Sequence, residues 1–266
     1  MGIIISVINN KGGVGKTALT CNMGAALARL KKQVLIIDND PQCNASGNLL
    51  SQNSITSHNN TLYELLDPES DGVQAETCIY PSPHQEGLYC LPNVRATSGL
   101  DMELVKRYPD SLTILRNKIK DVTEKTYDFT IIDTPPNIGI FTTQALCASH
   151  FVIVPIDASS ADSLDGLEEA LNLIESVKQT DNPNLKFLRL LINRLHGKKT
   201  ICKVIAAEIL KRFETDQRFE TTIPENTALQ QAVYLRETIY NYDRTSRSAR
   251  GFSLLAKEFL NILKDN

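Results

Sequence analysis

The segment Asn9-Asn10-Lys11-Gly12-Gly13-Val14-Gly15-Lys16-Thr17 holds the residue types that grip a phosphate. Three glycines let backbone N–H groups converge on an anion without Cβ clashes. Lys16 has the reach for the β and γ phosphates of a nucleotide, and the Thr17 hydroxyl is a ligand for Mg2+. Ala18 follows as the last residue of the same binding stretch. The strict phosphate-loop pattern has glycine where this chain has Asn10, and it has no place for Lys11. A glycine-rich turn that only caps a helix is the competing reading. The flanking sequence speaks against it, because an apolar run precedes the glycines and a helical pattern follows them.

Two further segments offer carboxylates. Ile36-Ile37-Asp38-Asn39-Asp40-Pro41-Gln42 ends an apolar run in two acids, just where ligand crevices form beyond the carboxyl ends of parallel strands. An Asp-rich turn that merely ends a strand reads the same way, with Pro41 as punctuation. Phe129-Thr130-Ile131-Ile132-Asp133-Thr134-Pro135-Pro136 is a second apolar run closed by an acid. Beside a phosphate loop, Asp133 reads as the carboxylate that holds Mg2+ through a water.

These groups need a scaffold that brings them together. Strand candidates are Ile3–Ile8, Gln33–Asp38, Leu88–Leu91, Phe129–Asp133, Phe151–Pro155 and Phe187–Ile192. They are rich in Ile, Val and Leu with little polar alternation, as strands covered on both faces are. Helical patterns lie at Thr17–Leu30, Leu112–Thr123, Ser163–Lys178, Thr200–Phe213 and Ser246–Leu263. The alternation predicts an α/β fold: a doubly wound, mostly parallel sheet flanked by helices. Ser46–Asn60 and Asp67–Gln85 are expected to be irregular surface excursions, and residues 1–266 a single domain.

The Lys-Gly-Gly-x-Gly-Lys-Thr run, the Asp-x-Asp-Pro-Gln segment around Asp38 and Asp40, and the strand ending at Asp133 together resemble the ParA/MinD family of deviant-Walker P-loop ATPases. The resemblance spans nearly the whole chain. It implies an ATP-hydrolysing enzyme with ATP and Mg2+ as cofactors. Lys11 would reach across a homodimer to the partner's nucleotide. Asp40 would position the attacking water, and Asp38 would support Mg2+ or the loop. Thr134-Pro135-Pro136 would sense the γ-phosphate. Leu191-Ile192-Asn193-Arg194 resembles the family's adenine-contacting element, and the amide of Asn193 suits an adenine edge; a strand-end cap is the other reading. Thr222-Ile223-Pro224-Glu225-Asn226 looks like the loop over the base, through Pro224 and Asn226. Glu225 stands where most chromosomal ParA relatives carry a basic residue.

Charge and composition limit the partners. The 266-residue chain has a net charge of −3, which excludes a generic polycation and confines any nucleic-acid contact to a patch. The stretch Lys186–Arg212 is nonetheless basic. Arg194, Lys198, Lys199 and Lys203, with Arg247 and Arg250, form a candidate surface for non-specific DNA; ordinary solvated helix faces would also account for them. Lys199 and Lys203 share a face opposite Ile201, Ile205 and Ile209. The six cysteines form no CxxC or CxxH pair, so no zinc or redox motif is written. No apolar run nears the ~20 residues of a membrane span.

The resemblance therefore implies a ParA-type partition ATPase, cytoplasmic and nucleoid-associated, without a separate N-terminal helix-turn-helix. A ParB-like centromere-binding or adaptor protein would trigger its hydrolysis. The alternative is a MinD-like or other cargo-positioning ATPase, acting on a carboxysome, a chemoreceptor cluster or the division site. No terminal amphipathic helix is expected, hence no membrane partner. An iron-protein relative lacks its cysteine pattern, and the Asp-Pro-Gln element argues against a synthetase-like ligase.

Overall fold

Strands made of consecutive Ile, Val and Leu have no face to give to water, so the sheet they form must be covered on both sides. The computed structural model, which describes residues 2–50, 60–70, 72–160, 163–196 and 199–264, shows this arrangement. Its strands are β1 (Ile3–Val7), β2 (Val34–Asp38), β3 (Tyr80–Pro81), β4 (Leu88–Leu91), β5 (Phe129–Asp133), β6 (Phe151–Asp157) and β7 (Lys186–Asn193). Among the described residues they make one sheet in the order β3-β4-β2-β5-β1-β6-β7. Every pairing is parallel except that of the short edge strand β3 with β4.

Register positions the chemistry. Val7 of β1 and Asp38 of β2 both pair with Asp133 of β5. The carboxyl ends of three adjacent strands are therefore level, and the loops that leave them share one edge of the sheet. That edge lies where neighbouring connections diverge, the usual crevice of an open α/β sheet.

Two helical layers close the core. One face is covered by α1 (Lys16–Arg29), α2 (Asn44–Leu49), α9 (Thr227–Tyr234), α10 (Ile239–Asp243) and α11 (Arg247–Ile262). The other is covered by α3 (Leu62–Leu66), α4 (Asp101–Lys106), α5 (Ile114–Thr126), α6 (Ile140–Ala148), α7 (Ser163–Thr180) and α8 (Thr200–Arg212). Helix α11 begins where the Ser246 hydroxyl accepts the Ala249 N–H at 3.2 Å. It buries Phe252, Leu255 and Phe259, and the Phe259 ring meets Phe129 edge-on with centroids 5.4 Å apart.

The structure departs from the sequence expectations in particular places. Ser46–Asn60 was expected to be loop, but Ser46–Leu49 lies in α2, whose Ala45, Ser46, Gly47 and Leu49 are buried. Its residues are polar but small, so they pack where a polar surface loop was expected. Residues 51–59 lie outside the described residues. Helix α6 leaves no polar stripe because nearly all of it is buried, so no helical period marks it in the sequence. The irregular stretch Asp67–Gln85 contains a 3-10 turn at Ala75–Cys78 and the edge strand β3. On α8, Ile205 and Ile209 are buried as expected, whereas Ile201 is 42% exposed. All six cysteines are unpaired, and all but Cys43 are buried.

Candidate nucleotide site

The loop between β1 and α1 is built around backbone angles that a side chain resists. Gly13 has φ 81° and Gly15 φ 94°. A Cβ on Gly15 would collide with the Asn193 side-chain amide as well. That amide donates to Val14 O at 2.7 Å, and Asn193 Oδ1 accepts the Arg194 N–H at 2.9 Å. In this arrangement Asn193 ties the end of β7 to the phosphate loop, a link between residues 179 apart in sequence. The adenine contact expected of it would use its second amide N–H and the second lone pair of Oδ1.

Lys16 and Lys11 occupy different surroundings although both belong to the loop. Lys16 is 6% exposed, and its Nζ donates to Asn9 O at 2.7 Å and Lys11 O at 3.3 Å, which joins the two ends of the loop. Lys11 points away toward the loop after β6, where its Nζ donates to Ser160 Oγ at 2.8 Å. Asn9 supports the turn, accepting the Lys11 N–H and donating to Pro155 O.

The carboxylates gather at the same edge, and burial governs them all. The Thr17 hydroxyl donates to Asp133 Oδ2 at 2.7 Å, and Thr20 to Oδ1 at 3.4 Å. Burial, with the nearby Asp38 charge second, pushes the Asp133 carboxyl up to about 8. Burial raises Asp38 to about 6 and raises Asp40 as well. It also lowers Lys16 from the usual lysine range, against the pull of Asp133 and Asp40. Burial disfavours the charge on all three acids, and a bound divalent cation would restore their carboxylate form.

The donor set has the character of a Mg2+ site. Among the described residues no three Asp, Glu, His or Cys groups converge on one point as a cation cage. Mg2+ in nucleotide enzymes uses one or two protein oxygens and takes the rest from water and phosphate. Thr17 and Asp133 fit that role. Of the two roles open to Asp38, the geometry favours loop support. It is fully buried; Oδ2 accepts both the N–H and the hydroxyl of Ser46 at 2.6 Å, and Oδ1 accepts the Asp40 N–H at 3.3 Å. Asp40 lies two residues on, 5% exposed, with Oδ1 accepting the Gln42 N–H at 2.9 Å. The segment after Asp133 is tied to both neighbours. Thr134 donates to Val7 O, and Asn39 donates to Phe141 O at 2.7 Å.

Beyond the loop lies a cleft of about 500 Å³ between α2 and α9, reaching Gly15, Thr17, Ala18, Asn193 and Arg194. Arg194, at φ 53°, holds Asp157 at 3.1 Å. Pro224 pairs with Leu195 as an isolated bridge, and Asn226 accepts the Ala228 N–H as the cap of α9, so the loop over the cleft is anchored at both points. Sequence reasoning passed over Ser46, Thr20, Arg95 and Arg236, which reach this region from segments without a motif.

The five basic candidates among the described residues do not gather into one patch. Arg194 lines the cleft, and Lys198 is outside the described residues. Lys199 is bound to Glu225 at 2.7 Å, which partly cancels its charge. Lys203 is exposed on α8, and Arg247 and Arg250 are exposed on α11, on the opposite face of the sheet.

Comparison with known proteins shows the family of the chain. The AAA-domain family model AAA_31 matches residues 2–187. The sporulation initiation inhibitor protein Soj of Bacillus subtilis is 33% identical over 258 residues, covering 97% of this chain and 98% of its own. The chromosome-partitioning ATPase Soj of Thermus thermophilus is 32% identical, over 96% of this chain and 94% of its own. Among solved structures, cobyrinic acid a,c-diamide synthase from Mycobacterium smegmatis with bound ADP and magnesium superposes with a TM-score of 0.83 at 26% identity, covering 99% of this chain and 96% of that one. Likeness along nearly the full length of the Soj proteins, with the AAA_31 match, shows that the chain belongs to the AAA_31 family of P-loop ATPases that includes the Soj proteins.

Proposed function

We propose that this ATPase segregates or positions DNA, by closing as a homodimer on Mg-ATP, binding duplex DNA without sequence preference, and letting go when a ParB-like partner triggers hydrolysis. The observation that carries the reading is the separation of the two lysines. Lys16 is buried within the loop, while Lys11 is turned toward Ser160 outside it. On this reading one cation serves the nucleotide in cis and the other reaches a second copy's nucleotide, as an arginine finger does.

Each residue then has a task. Lys16 binds and orients the β and γ phosphates. Thr17 and Asp133 would hold Mg2+, which neutralises phosphoryl charge when bound. Asp40 orients the attacking water, and Asp38 with Ser46 keeps Asp40 in place. Full-length likeness to Soj proteins supports the DNA role. Lys203, Arg247 and Arg250 are the exposed candidate contacts with no ion pair among the described residues. No helix among the described residues is long and apolar enough to cross a membrane.

Two experiments test the proposal. Lys11→Ala is expected to bind ATP at near wild-type affinity yet remain monomeric by light scattering and inactive. An ATP-dependent dimer of normal size in that variant would remove the trans role. Secondly, the ATP-loaded protein is expected to bind any duplex DNA, and the ADP form weakly. Dimerisation doubles each basic surface, so two weak contacts act together. Affinity should fall steeply with salt, because each neutralised phosphate releases a counterion. Exchanging Lys203, Arg247 and Arg250 together to Glu should abolish DNA binding and leave ATP binding intact. ATP-loaded protein that ignores DNA at low salt and coats anionic vesicles would replace this reading with the MinD-like one.

A further inference from the structure

The cleft beside the phosphate loop has an uneven lining. It contains no Asp or Glu, but it contains Arg95, Arg194 and Arg236. Arg194 is matched by Asp157. Arg95 and Arg236 have no ion pair, and no side-chain hydrogen-bond partner, among the described residues. Neither loop lysine contributes to this part of the cleft. Two unmatched guanidinium groups in an acid-free concavity make a site for an anion.

Arg236 carries a second signal in its backbone. Helix α9 ends in a Schellman arrangement: the Glu237 N–H bonds Ala232 O at 2.9 Å and the Arg236 N–H bonds Val233 O at 3.2 Å. That arrangement places Arg236 in the left-handed region, at φ 59°. Glycine takes this position without a steric penalty and is its usual occupant. An arginine there keeps strained backbone in exchange for its side chain. The side chain crosses to α2, where Nη1 would lie 3.3 Å from a Cβ on Gly47. Arg95 approaches α2 from the other end, near enough that its charge acts on Cys43. The two arginines line one cleft with α2, Thr17 and Ala18.

The geometry points to Arg95 and Arg236 as nucleotide-binding residues that clamp the α-phosphate and ribose within the cleft they line with Thr17, Ala18 and Asn193. This assignment rests on the nucleotide-site reading but not on dimerisation or DNA binding. An anionic group in this cleft has two sources: the chain's own nucleotide, or a carboxylate brought by a second copy. The nucleotide is favoured because the same cavity is continuous with Thr17 and Ala18 at the start of α1.

The test compares Arg236→Gly, Arg95→Gln and the double variant with wild type by equilibrium binding of ADP and of ATP, with light scattering to record the number of copies. Each single exchange is expected to weaken ADP and ATP binding by the same factor, roughly tenfold, as loss of one exposed charge-assisted contact does. Arg236→Gly should at the same time keep or raise the thermal midpoint, because glycine relieves the left-handed strain. Arg236→Lys should recover part of the affinity through its charge. Unchanged ADP affinity in the double variant would overturn the assignment and leave the ATPase reading standing. Loss of ATP affinity with ADP unaffected would move both arginines to a contact between copies, which also overturns it. A fall in thermal midpoint that parallels the loss of affinity in Arg236→Gly would reduce Arg236 to a structural residue.

Discussion

Alanine at Lys16 is expected to abolish Mg-ATP binding at working concentrations while leaving the fold intact. Lys16 is the one cation buried inside the loop, and its Nζ bridges Asn9 O and Lys11 O. In the nucleotide complex it would meet two phosphates through charge-assisted hydrogen bonds, worth about 1.5 to 3 kcal/mol each. Their loss weakens binding by roughly 10² to 10⁴. Removing the lysine also leaves Asp40 and Asp133 without their buried positive neighbour. Titration with a fluorescent ATP analogue measures the effect, and circular dichroism checks the fold. Wild-type affinity in a folded variant would sink the phosphate-loop reading, since no other cation is buried in that loop.

The second large effect is kinetic. Asp40→Ala is expected to bind ATP, dimerise and then stall, with turnover down by roughly 10² to 10⁴, the range for a group that positions or deprotonates a nucleophile. Asp40 is nearly buried beside Lys16, and burial raises its carboxyl above the usual range; in the proposed role it would face the reacting end of the nucleotide in a dry setting. Its Oδ1 also accepts the Gln42 N–H, so the alanine variant loses one turn contact; Asp40→Asn keeps the shape and removes the charge. Phosphate release and light scattering, read together, separate the outcomes. A long-lived ATP dimer with little phosphate release is the expected result for both variants. Normal turnover in Asp40→Asn would transfer the role to Asp38 or to a water held by backbone.

Much of this was legible before any coordinates. A strand that alternates polar and apolar residues needs a solvent face, and one of continuous Ile and Val cannot have it. The residues from Ile3 to Ile5, Val34 to Ile37 and Ile131 to Ile132 therefore stated a sheet covered on both sides, and the sheet is so covered. Lys16 and Thr17 were readable because glycine spacing, the preceding strand and the following helix are local, and a phosphate loop is a local structure. Asp133 was readable for the same reason, as an acid closing an apolar strand.

Other features depend on contacts between distant segments, and no local pattern records them. Helix α6 vanishes from the sequence because a helix buried all round has no amphipathic period. Asn193 also ties β7 to the phosphate loop through its bond to Val14, far off along the chain, a contact its local sequence does not record. The charge of Lys199 was counted as free until Glu225 stood beside it. Lys203 and Arg250 seemed to belong together by sign, yet the sheet separates their helices. Arg95 and Arg236 each look like an ordinary surface arginine in sequence, and only the packing of α2 against the end of α9 brings both to one acid-free cleft. The sequence by itself determined the strands other than the short edge strand β3, and the loop between β1 and α1, because these follow from short-range sterics and the period of burial. The tertiary structure decided which charges are matched and which segments face each other, because electrostatic pairing depends on distance in space and the chain does not write that distance along its length.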